Sequence, residues 1–240
     1  MPTVRAVSFD FHDTVAICPS WFQLEVRHLV SATHALLVEQ GHLPPGPSAA
    51  ALDAAYHQLR QEIHAHGEEM DALGCVLTVF DRLAIAGPAD RVAAAIEQLQ
   101  RATIHDLRPR PGIIEAVKQL HAAGLPLGIT SNAVYHPFLE WALAEFDLAR
   151  YLTSVISSAS CGYYKSRPEI YQRTAAALGV RLPELVHVGD SFRFDVLAAG
   201  RLGARTVWLN LKGEPPPVAG AASLIVTSLD GLADKLLALA

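Results

Sequence analysis

Hydrophobic and polar residues follow two different patterns along the chain. Residues from about 20 to 105 are rich in Ala, Leu and His, have a helical period and contain no convincing strand. Beyond the Pro-rich turn at 109–112, short apolar segments alternate with helical ones. The pattern predicts three to five packed helices in the first region and a strand–helix alternation in the second.

The predicted strands are short and almost continuously apolar. They cover 4–9, 126–130, 152–157, 185–188, 205–209 and 224–226. Predicted helices cover 112–123, 137–147, 168–179 and 195–202, and a terminal helix begins at 229. Short apolar strands that alternate with helices predict a doubly wound α/β fold whose parallel sheet is covered on both faces.

The helical region interrupts this α/β unit directly after its first strand. Gly41, the proline run at 44–47 and the Gly87-Pro88 pair divide it into separate helices. We therefore predict that residues 17–105 are an inserted all-helical domain. Residues 1–16 and 106–240 then form the α/β core.

Composition excludes several classes of protein. The 240 residues are 51% hydrophobic, which is enough for a sizeable core, and the net charge of -5 disfavours a nucleic-acid-binding surface. Three widely spaced cysteines predict neither a disulfide framework nor a structural zinc site. We find no secretory segment and no apolar run of membrane-spanning length, so we expect a cytoplasmic protein without a membrane partner. A monomer and a homodimer fit the sequence equally well.

Polar residues follow the predicted strands at the edge of the sheet where ligands bind in open α/β folds. They are Asp10, Thr14, Ser131, Asn132, Asp190 and Asp195, and Lys165 lies in the loop before the 168–179 helix. Carboxylate oxygens suit Mg²⁺, which binds substrate phosphates readily. An ionised aspartate can act as a covalent nucleophile, and a lysine beside it can hold phosphate oxygens.

Four segments carry these residues: FDFHDT, GITSNA, GYYKSRPEIY and VHVGDSFRFDVLAAGRLGARTVWL. In this order they resemble the four motifs of the haloacid dehalogenase superfamily of hydrolases. The helical insertion between the first two resembles the C1-type cap of subfamily I. The resemblance implies a Rossmann-like core and Mg²⁺-dependent hydrolysis of a small phosphorylated metabolite through an aspartyl-phosphate.

The resemblance also implies a role for each residue around the phosphate. Asp10 would be the nucleophile, and Lys165 would steady both the nucleophile and the phosphate charge. Ser131 would hydrogen-bond the phosphoryl oxygens, with help from Asn132. Thr14 would order the loop around the nucleophile and belongs with the phosphate-binding residues.

The resemblance implies a metal site beside the nucleophile. Asp10 and Asp190 would be Mg²⁺ ligands, and Asp195 would be a ligand or would support one. The backbone carbonyl of His12 would complete the set contributed by the protein. A cation between Asp10 and Asp190 is also physically reasonable because two neighbouring carboxylates repel each other.

The chain departs from the family pattern in the first motif. Phosphatases of the family have Asp-x-Asp-Gly-Thr, whose second Asp is the general acid/base, whereas this chain has His12 and Asp13. Histidine can transfer protons near neutral pH, so we predict that His12 replaces the usual Asp. Asp13 is a rival for that role, although a turn residue that tolerates unusual backbone angles is the expected alternative.

Two other functions stay open at this stage. One is hydrolysis of a different bond, as in a 2-haloacid dehalogenase or a phosphonatase. Dehalogenases of the family have Tyr at position 12 and lack the Gly-Asp-x-x-x-x-Asp pattern that this chain has at 189–195, which favours phosphoryl transfer. The other is a binding or regulatory protein with weakened turnover.

Other polar and aromatic residues have simpler interpretations. His187 lies inside an apolar strand and is predicted to be a core histidine. His57, His64 and His66 are predicted to lie on a solvated helix face. Trp21 and Phe22 follow the first motif closely, and they either pack in the cap or shape the pocket.

Overall fold

The computed structural model describes residues 4–239. The strands of this part of the chain are β1 (Ala6–Phe9), β2 (Ala16–Ile17), β3 (Arg108–Pro109), β4 (Leu127–Ser131), β5 (Ser154–Ser157), β6 (Leu185–Gly189), β7 (Arg205–Leu209) and β8 (Leu224–Val226). The α-helices are α1 (Pro19–Gln23), α2 (Leu29–Glu39), α3 (Ala49–His66), α4 (Ala72–Arg82), α5 (Ala89–Ala102), α6 (Ile113–Ala122), α7 (His136–Glu145), α8 (Ser158–Cys161), α9 (Pro168–Ala177) and α10 (Leu232–Leu237). Two π-helical segments cover Leu24–His28 and Phe192–Ala198, and short 3₁₀ turns cover Thr103–Asp106, Ala149–Tyr151 and Leu182–Glu184.

Six strands form one parallel sheet in the order β5-β4-β1-β6-β7-β8. The chain builds outwards from β1 in both directions, first through β4 and β5, then through β6, β7 and β8. The predicted doubly wound α/β fold is therefore confirmed. The strand order reverses at β1, so the crevice beyond the carboxyl end of β1 is the expected ligand site.

Helices cover both faces of the sheet. The apolar side chains of α6, α7 and α10 share one hydrophobic cluster with Val7 and Phe9 of β1 and Val186 and Val188 of β6. On the other face, α9 packs with smaller apolar groups. This second face of the strands also carries buried polar side chains, among them Ser8 and His187. His187 on this face contacts Asp195, which follows the end of β6.

The helices α1–α5 fill the region for which the sequence predicts a helical insertion. The helices α2–α5 share a hydrophobic cluster that is separate from those of the sheet, and Val134, beyond the end of β4, joins this cluster. The antiparallel pair of β2 and β3 joins the two points where the chain leaves the core and returns to it. The domain boundaries at 16/17 and 105/106 stay a prediction.

Some predicted element bounds differ from those in the structure. The helix predicted at 195–202 begins earlier, at Phe192, because the Ser191 side chain caps it by accepting the N–H of Phe194; the segment Phe192–Ala198 is π-helical. The terminal helix begins at Leu232 rather than Leu229, because Gly231 has a left-handed backbone with φ of 63°. The short pair β2–β3 and the four-residue helix α8 were not predicted, since two-residue strands have no recognisable period.

Among residues 4–239, no helix combines the length and the apolar character that crossing a membrane requires.

Candidate active site

The first group in the site is the Asp10 carboxylate, which directly follows β1. The N–H of Asp10 donates to the carbonyl of Val188 on the neighbouring strand β6, at 2.8 Å. Ser131 ends β4 on the other side, and its Oγ donates to Asp10 Oδ1 at 3.2 Å. Adjacent parallel strands therefore bring Asp10 and Ser131 together, although 121 positions separate them in the sequence.

Lys165 connects two carboxylates at the floor of the site. Its Nζ lies 2.5 Å from Asp10 Oδ1 and 2.6 Å from Asp195 Oδ1, and its side chain is only 2% exposed. Asn132 fixes the lysine backbone by accepting the N–H of Lys165 at Oδ1, at 2.8 Å. Burial by itself lowers the pKa of Lys165, but the two carboxylates outweigh it and hold this pKa above the usual value. The ammonium group is therefore a permanent positive charge beside Asp10.

Asp195 is held by a network of hydrogen bonds. Its Oδ1 also lies 3.0 Å from Nε2 of His187, and its Oδ2 accepts the N–H of Ser191 at 2.8 Å. Burial raises the pKa of Asp195, but Lys165 and His187 more than offset this and hold the pKa well below its usual range. A Cβ on Gly189 would lie 2.2 Å from Cγ of Asp195, so only glycine leaves room for this carboxylate.

Asp190 completes a cluster of three carboxylates. One oxygen from each of Asp10, Asp190 and Asp195 lies within 4.8 Å of the others. Burial, followed by the negative charges of Asp10 and Asp195, raises the pKa of Asp190 to about 8. Burial also raises the pKa of Asp10, although Lys165 opposes the change. The single ammonium group of Lys165 leaves negative charge uncompensated, and hard oxygen ligands of this kind fit Mg²⁺.

His12 lies at the wall of the same cavity as Asp10. Its ring stacks on Phe22 with the ring centres 4.2 Å apart, and its Nδ1 lies 3.6 Å from Oδ2 of Asp13. Burial lowers the pKa of His12, although the nearby carboxylates of Asp13 and Asp10 oppose the shift. The stacking fixes the imidazole at the cavity wall, where it can exchange protons with a ligand.

Asp13 and Thr14 have different surroundings. Asp13 has a left-handed backbone with φ of 57°, and its Oδ1 accepts a hydrogen bond from Arg110 at 2.6 Å. This ion pair supports the turn interpretation of Asp13. Thr14 is fully buried, its Oγ1 has no hydrogen-bond partner among the described residues, and it lies outside the cavity wall. The assignment of Thr14 to the phosphate-binding residues stays a prediction.

The cavity above these groups has a volume of about 680 Å³ and continues between the core and the helical insertion. Its floor contains six of the predicted residues, which are Asp10, Ser131, Asn132, Lys165, Asp190 and Asp195. The insertion contributes Phe22, Glu25, Val26, Arg60 and His64 to the walls. His64, predicted to lie on a solvated helix face, is an exposed residue of this wall and stacks obliquely on Tyr164 with the ring centres 4.6 Å apart.

Sequence reasoning missed the relation of two buried residues to the site. His187 is buried as predicted, but its ring bridges Ser8 and Asp195. The available signal was a polar residue inside each of two apolar strands, Ser8 one position before the end of β1 and His187 two positions before the end of β6, which pair in register. Glu25 has no such signal, because its position depends on a contact with Val134, which lies 109 residues further along the chain.

Comparison with known proteins shows which family the sequence matches. Residues 4–203 match the family described as haloacid dehalogenase-like hydrolase. A glyceraldehyde 3-phosphate phosphatase from Methanopyrus kandleri is 26% identical over 205 residues, which span 85% of this chain and 83% of that protein. An (S)-2-haloacid dehalogenase 4A from Burkholderia cepacia is 29% identical over 182 residues, which span 71% and 74% of the two chains.

The fold has close counterparts among solved structures. A 2-haloacid dehalogenase from Pseudomonas syringae superposes with a TM-score of 0.76 over 98% of this chain and 99% of that chain, at 20% identity. At this identity the likeness concerns the fold alone. The family match covers most of the chain and includes Asp10, Ser131, Lys165 and Asp190. The chain therefore belongs to the haloacid dehalogenase-like hydrolases.

Proposed function

We propose that the protein is a Mg²⁺-dependent phosphatase that hydrolyses a small phosphomonoester through an aspartyl-phosphate intermediate on Asp10. The carboxylate cluster of Asp10, Asp190 and Asp195 carries this proposal, because its oxygens lie within 4.8 Å of one another. A site for carbon–halogen cleavage needs the nucleophile but has no need of two further carboxylates around it. The similarity to a phosphatase of Methanopyrus kandleri over most of both chains adds support.

The residues present fit a divalent cation. Asp190 has a raised pKa because it is buried beside other carboxylates, and a cation there would remove this repulsion. Asp10, Asp190 and the His12 carbonyl would hold Mg²⁺. Asp195 is already hydrogen-bonded to Lys165 and His187 and would support these ligands without contacting the metal. When bound, Mg²⁺ would neutralise phosphate charge and favour in-line attack.

The first chemical step uses Asp10 as the nucleophile. A carboxylate oxygen of Asp10 forms a bond to phosphorus while the bond from phosphorus to the ester oxygen breaks. Lys165 and Ser131 orient the carboxylate through hydrogen bonds to Oδ1, and Lys165 also offsets charge on the phosphoryl oxygens. The leaving alkoxide takes a proton from His12, whose ring borders the same cavity.

The second step returns the enzyme to its starting state. His12, now neutral, accepts a proton from a water molecule, whose oxygen attacks the phosphorus of the aspartyl-phosphate. The phosphorus–oxygen bond to Asp10 breaks, and inorganic phosphate and the free carboxylate are released. Burial favours the neutral ring that this step needs, and a bound phosphate dianion would favour the protonated ring that the first step needs.

The helical insertion would act as a cap in this reaction. It contributes walls of the cavity, so its helices decide which leaving groups fit and limit the access of water. Phe22 of α1 contacts His12 directly and would link the position of the cap to that of the general acid/base.

The proposal is tested by phosphate release from a panel of phosphomonoesters, with Mg²⁺ and with EDTA. We expect turnover by the wild type that EDTA abolishes, none by Asp10→Asn, and unchanged turnover by Asp234→Asn, which alters an exposed aspartate of α10. Mass spectrometry of acid-quenched reactions would show phosphate attached to the Asp10 peptide. Activity that persists in EDTA or in Asp10→Asn would overturn the proposal.

Dehalogenation is the second candidate function. It is favoured by the similarity to the haloacid dehalogenase of Burkholderia cepacia and by the absence of the usual Asp at position 12. A halide leaves without a proton, so His12 would then serve only the hydrolysis of the ester intermediate. Halide release from (S)-2-haloacids in EDTA, without phosphate release from any ester, would establish this function instead.

A further inference from the structure

The loop that carries Asn132 continues into a residue that the helical insertion holds. Val134 lies two positions after Asn132 and is 2% exposed. Its carbonyl accepts the N–H of Ala72 at 2.8 Å, and its own N–H donates to Glu25. Both backbone partners of Val134 therefore belong to the insertion, although the loop itself belongs to the core.

A further contact from the insertion reaches this loop through Ser158, the first residue of α8. The Oγ of Ser158 accepts the N–H of Ala133 at 3.0 Å and donates to Oε2 of Glu69 at 2.9 Å. The Ala133 carbonyl lies 3.3 Å from the same hydroxyl group, but it already accepts the N–H of Ala159. The closer carboxylate oxygen is the stronger acceptor, so Glu69 fixes the direction of the hydroxyl proton. The lone pairs of Oγ are then left for Ala133.

Arg60 holds the carboxylate of Glu69 in place. It donates one hydrogen bond to each carboxylate oxygen, at 2.5 Å and 2.9 Å. The Glu69 side chain has no exposed surface, and that of Arg60 is 12% exposed. A bidentate ion pair of this kind adds geometric specificity as well as energy, because two parallel bonds fix the plane of the carboxylate. Glu69 is therefore a fixed acceptor for Ser158.

The backbone around Glu69 pairs with the loop that leads to Lys165. The N–H of Glu69 donates to the carbonyl of Gly162 at 2.9 Å. The N–H of Tyr164 donates to the carbonyl of Gly67, also at 2.9 Å. One short segment of the insertion thus contacts both loops on which the phosphate-site residues lie.

We propose that Glu69 is a positioning residue of the phosphate site, which it supports through the hydroxyl group of Ser158. By fixing this hydroxyl group, Glu69 holds the loop in the geometry that lets Ser131 and Asn132 contact a phosphoryl group. This inference rests on the proposed phosphatase function. It gives the helical insertion a second role, because the insertion then completes the phosphate site as well as bordering the leaving group.

The place of Glu69 separates this role from leaving-group selection. Glu69 does not line the cavity, so it cannot touch the leaving group of a bound ester. A residue that touched the leaving group would change kcat/KM by different factors for different esters. Glu69 should instead change kcat/KM by one common factor, and it should change the binding of inorganic phosphate, which has no leaving group.

The experiment measures the inhibition constant of inorganic phosphate at saturating Mg²⁺, together with kcat/KM for two phosphomonoesters with different leaving groups. Ser158→Ala should weaken phosphate inhibition by about tenfold, the value of one hydrogen bond, because the N–H of Ala133 loses its partner. Glu69→Ala should have a similar effect. The double variant should be no worse than either single variant, since residues that act as a unit do not have additive effects.

Two variants serve as controls. Glu69→Gln keeps an oxygen that accepts from Ser158 but loses the ion pair with Arg60. It should therefore lower the melting temperature while phosphate inhibition stays close to that of the wild type. Glu68→Ala alters the adjacent exposed glutamate and should match the wild type in both measurements.

Unchanged phosphate inhibition in Ser158→Ala, or losses that add in the double variant, would overturn the inference while the phosphatase function stands. A loss of kcat/KM confined to one of the two esters would overturn it as well. If Glu69→Ala does not fold, Ser158→Ala and Glu69→Gln decide the question. If the wild type hydrolyses no phosphomonoester, the proposed function fails and this inference fails with it.

Discussion

Ser8 and His187 lie opposite each other on β1 and β6, and Oγ of Ser8 is 2.8 Å from Nδ1 of His187. The other ring nitrogen, Nε2, lies 3.0 Å from Oδ1 of Asp195. Burial lowers the pKa of His187, so the ring is neutral. A neutral ring fits both contacts if Ser8 donates to Nδ1 and Nε2 donates to Asp195. His187 is therefore a positioning residue that holds Asp195 from behind.

Replacement of His187 by Ala should weaken the metal site as well as the fold. We expect the free energy of unfolding to fall by about 2–4 kcal/mol, because a buried ring and two hydrogen bonds are lost. The Mg²⁺ concentration that gives half-maximal activity should rise by about tenfold, because His187 holds Asp195, the carboxylate that supports the metal ligands. A purely structural role would leave this concentration unchanged. His42→Ala, at an exposed position of the chain, is the control.

Replacement of Lys165 by Met should abolish activity and expose the repulsion between carboxylates. The ammonium group lies within 2.6 Å of both Asp10 and Asp195, so its loss leaves buried charge uncompensated. We expect activity to fall by at least about a hundredfold and the free energy of unfolding to fall by about 3–5 kcal/mol. Mg²⁺ should raise the melting temperature of this variant more than that of the wild type. An equal effect of Mg²⁺ on both proteins would contradict this account.

Replacement of Asp190 by Asn should stabilise the metal-free protein while abolishing its response to Mg²⁺. The pKa of Asp190 is raised by burial and by neighbouring carboxylates, which means that the ionised group is unfavourable without a cation. Removal of this charge should raise the melting temperature in EDTA by about 2–4 °C, the shift that about 1 kcal/mol produces in a protein of this size. Calorimetry with and without Mg²⁺ measures both effects. If Asp190→Asn instead had a lower melting temperature than the wild type in EDTA, repulsion from the neighbouring carboxylates would not destabilise Asp190.

Variants at positions 12 and 13 distinguish the two possible proton donors. His12→Ala should lower kcat by about 10²–10⁴-fold, the usual contribution of a general acid/base. Asp13→Asn keeps the size of a side chain that is bound to Arg110 and should have a small effect on kcat. His12→Asp should recover part of the activity and displace the pH profile of kcat/KM. If Asp13→Asn removes as much activity as His12→Ala, then Asp13 is the proton donor.

The burial of Glu25 predicts how stability depends on pH. Its pKa is raised from 4.5 to about 8, so between these values the folded protein holds a proton that the unfolded chain releases. The free energy of unfolding that Glu25 contributes is therefore lost as the pH rises from 4.5 to about 8. The groups that act on it are Arg60, Glu69, Cys18, Tyr56 and the backbone N–H groups of Val134 and Tyr135.

Glu25→Gln cannot ionise, which makes it the matched comparison. The difference in unfolding free energy between Glu25→Gln and the wild type should grow in favour of the variant by at least about 1 kcal/mol across this window, since one pKa unit is worth 1.36 kcal/mol. Urea unfolding at several pH values measures it. A constant difference would mean that Glu25 is ionised throughout.

The floor of the site could be predicted from the sequence because the topology rule is simple. Asp10, Ser131 and Asp190 each follow or end a short apolar strand, and parallel strands place their carboxyl ends at one edge. The same rule says nothing about the cavity walls that the helical insertion contributes. Glu25 and Arg60 lie on helices whose period shows only which face is apolar, and their contacts depend on how the insertion packs on the core.

Other differences arise because short-range patterns do not define strand neighbours. His187 was predicted to be a core residue, which describes its burial but not its hydrogen bonds. These depend on β1 and β6 being adjacent, although 179 positions separate Ser8 from His187. Thr14 is likewise buried, and a motif alone does not show which groups a buried hydroxyl contacts.

The antiparallel pair of β2 and β3 also has a consequence for how the protein folds. β1 must pair with β4 and β6, which lie far along the chain from it. The entropy lost in closing such long loops slows folding. The pair joins Ala16 to Pro109 and Ile17 to Arg108, so the whole insertion leaves and returns at one place. Once α2–α5 have packed and β2 has paired with β3, the two ends of the insertion lie together. The loop that must close when β1 pairs with β4 is then effectively short. A long insertion thus adds little kinetic cost to the assembly of Asp10 with its partners.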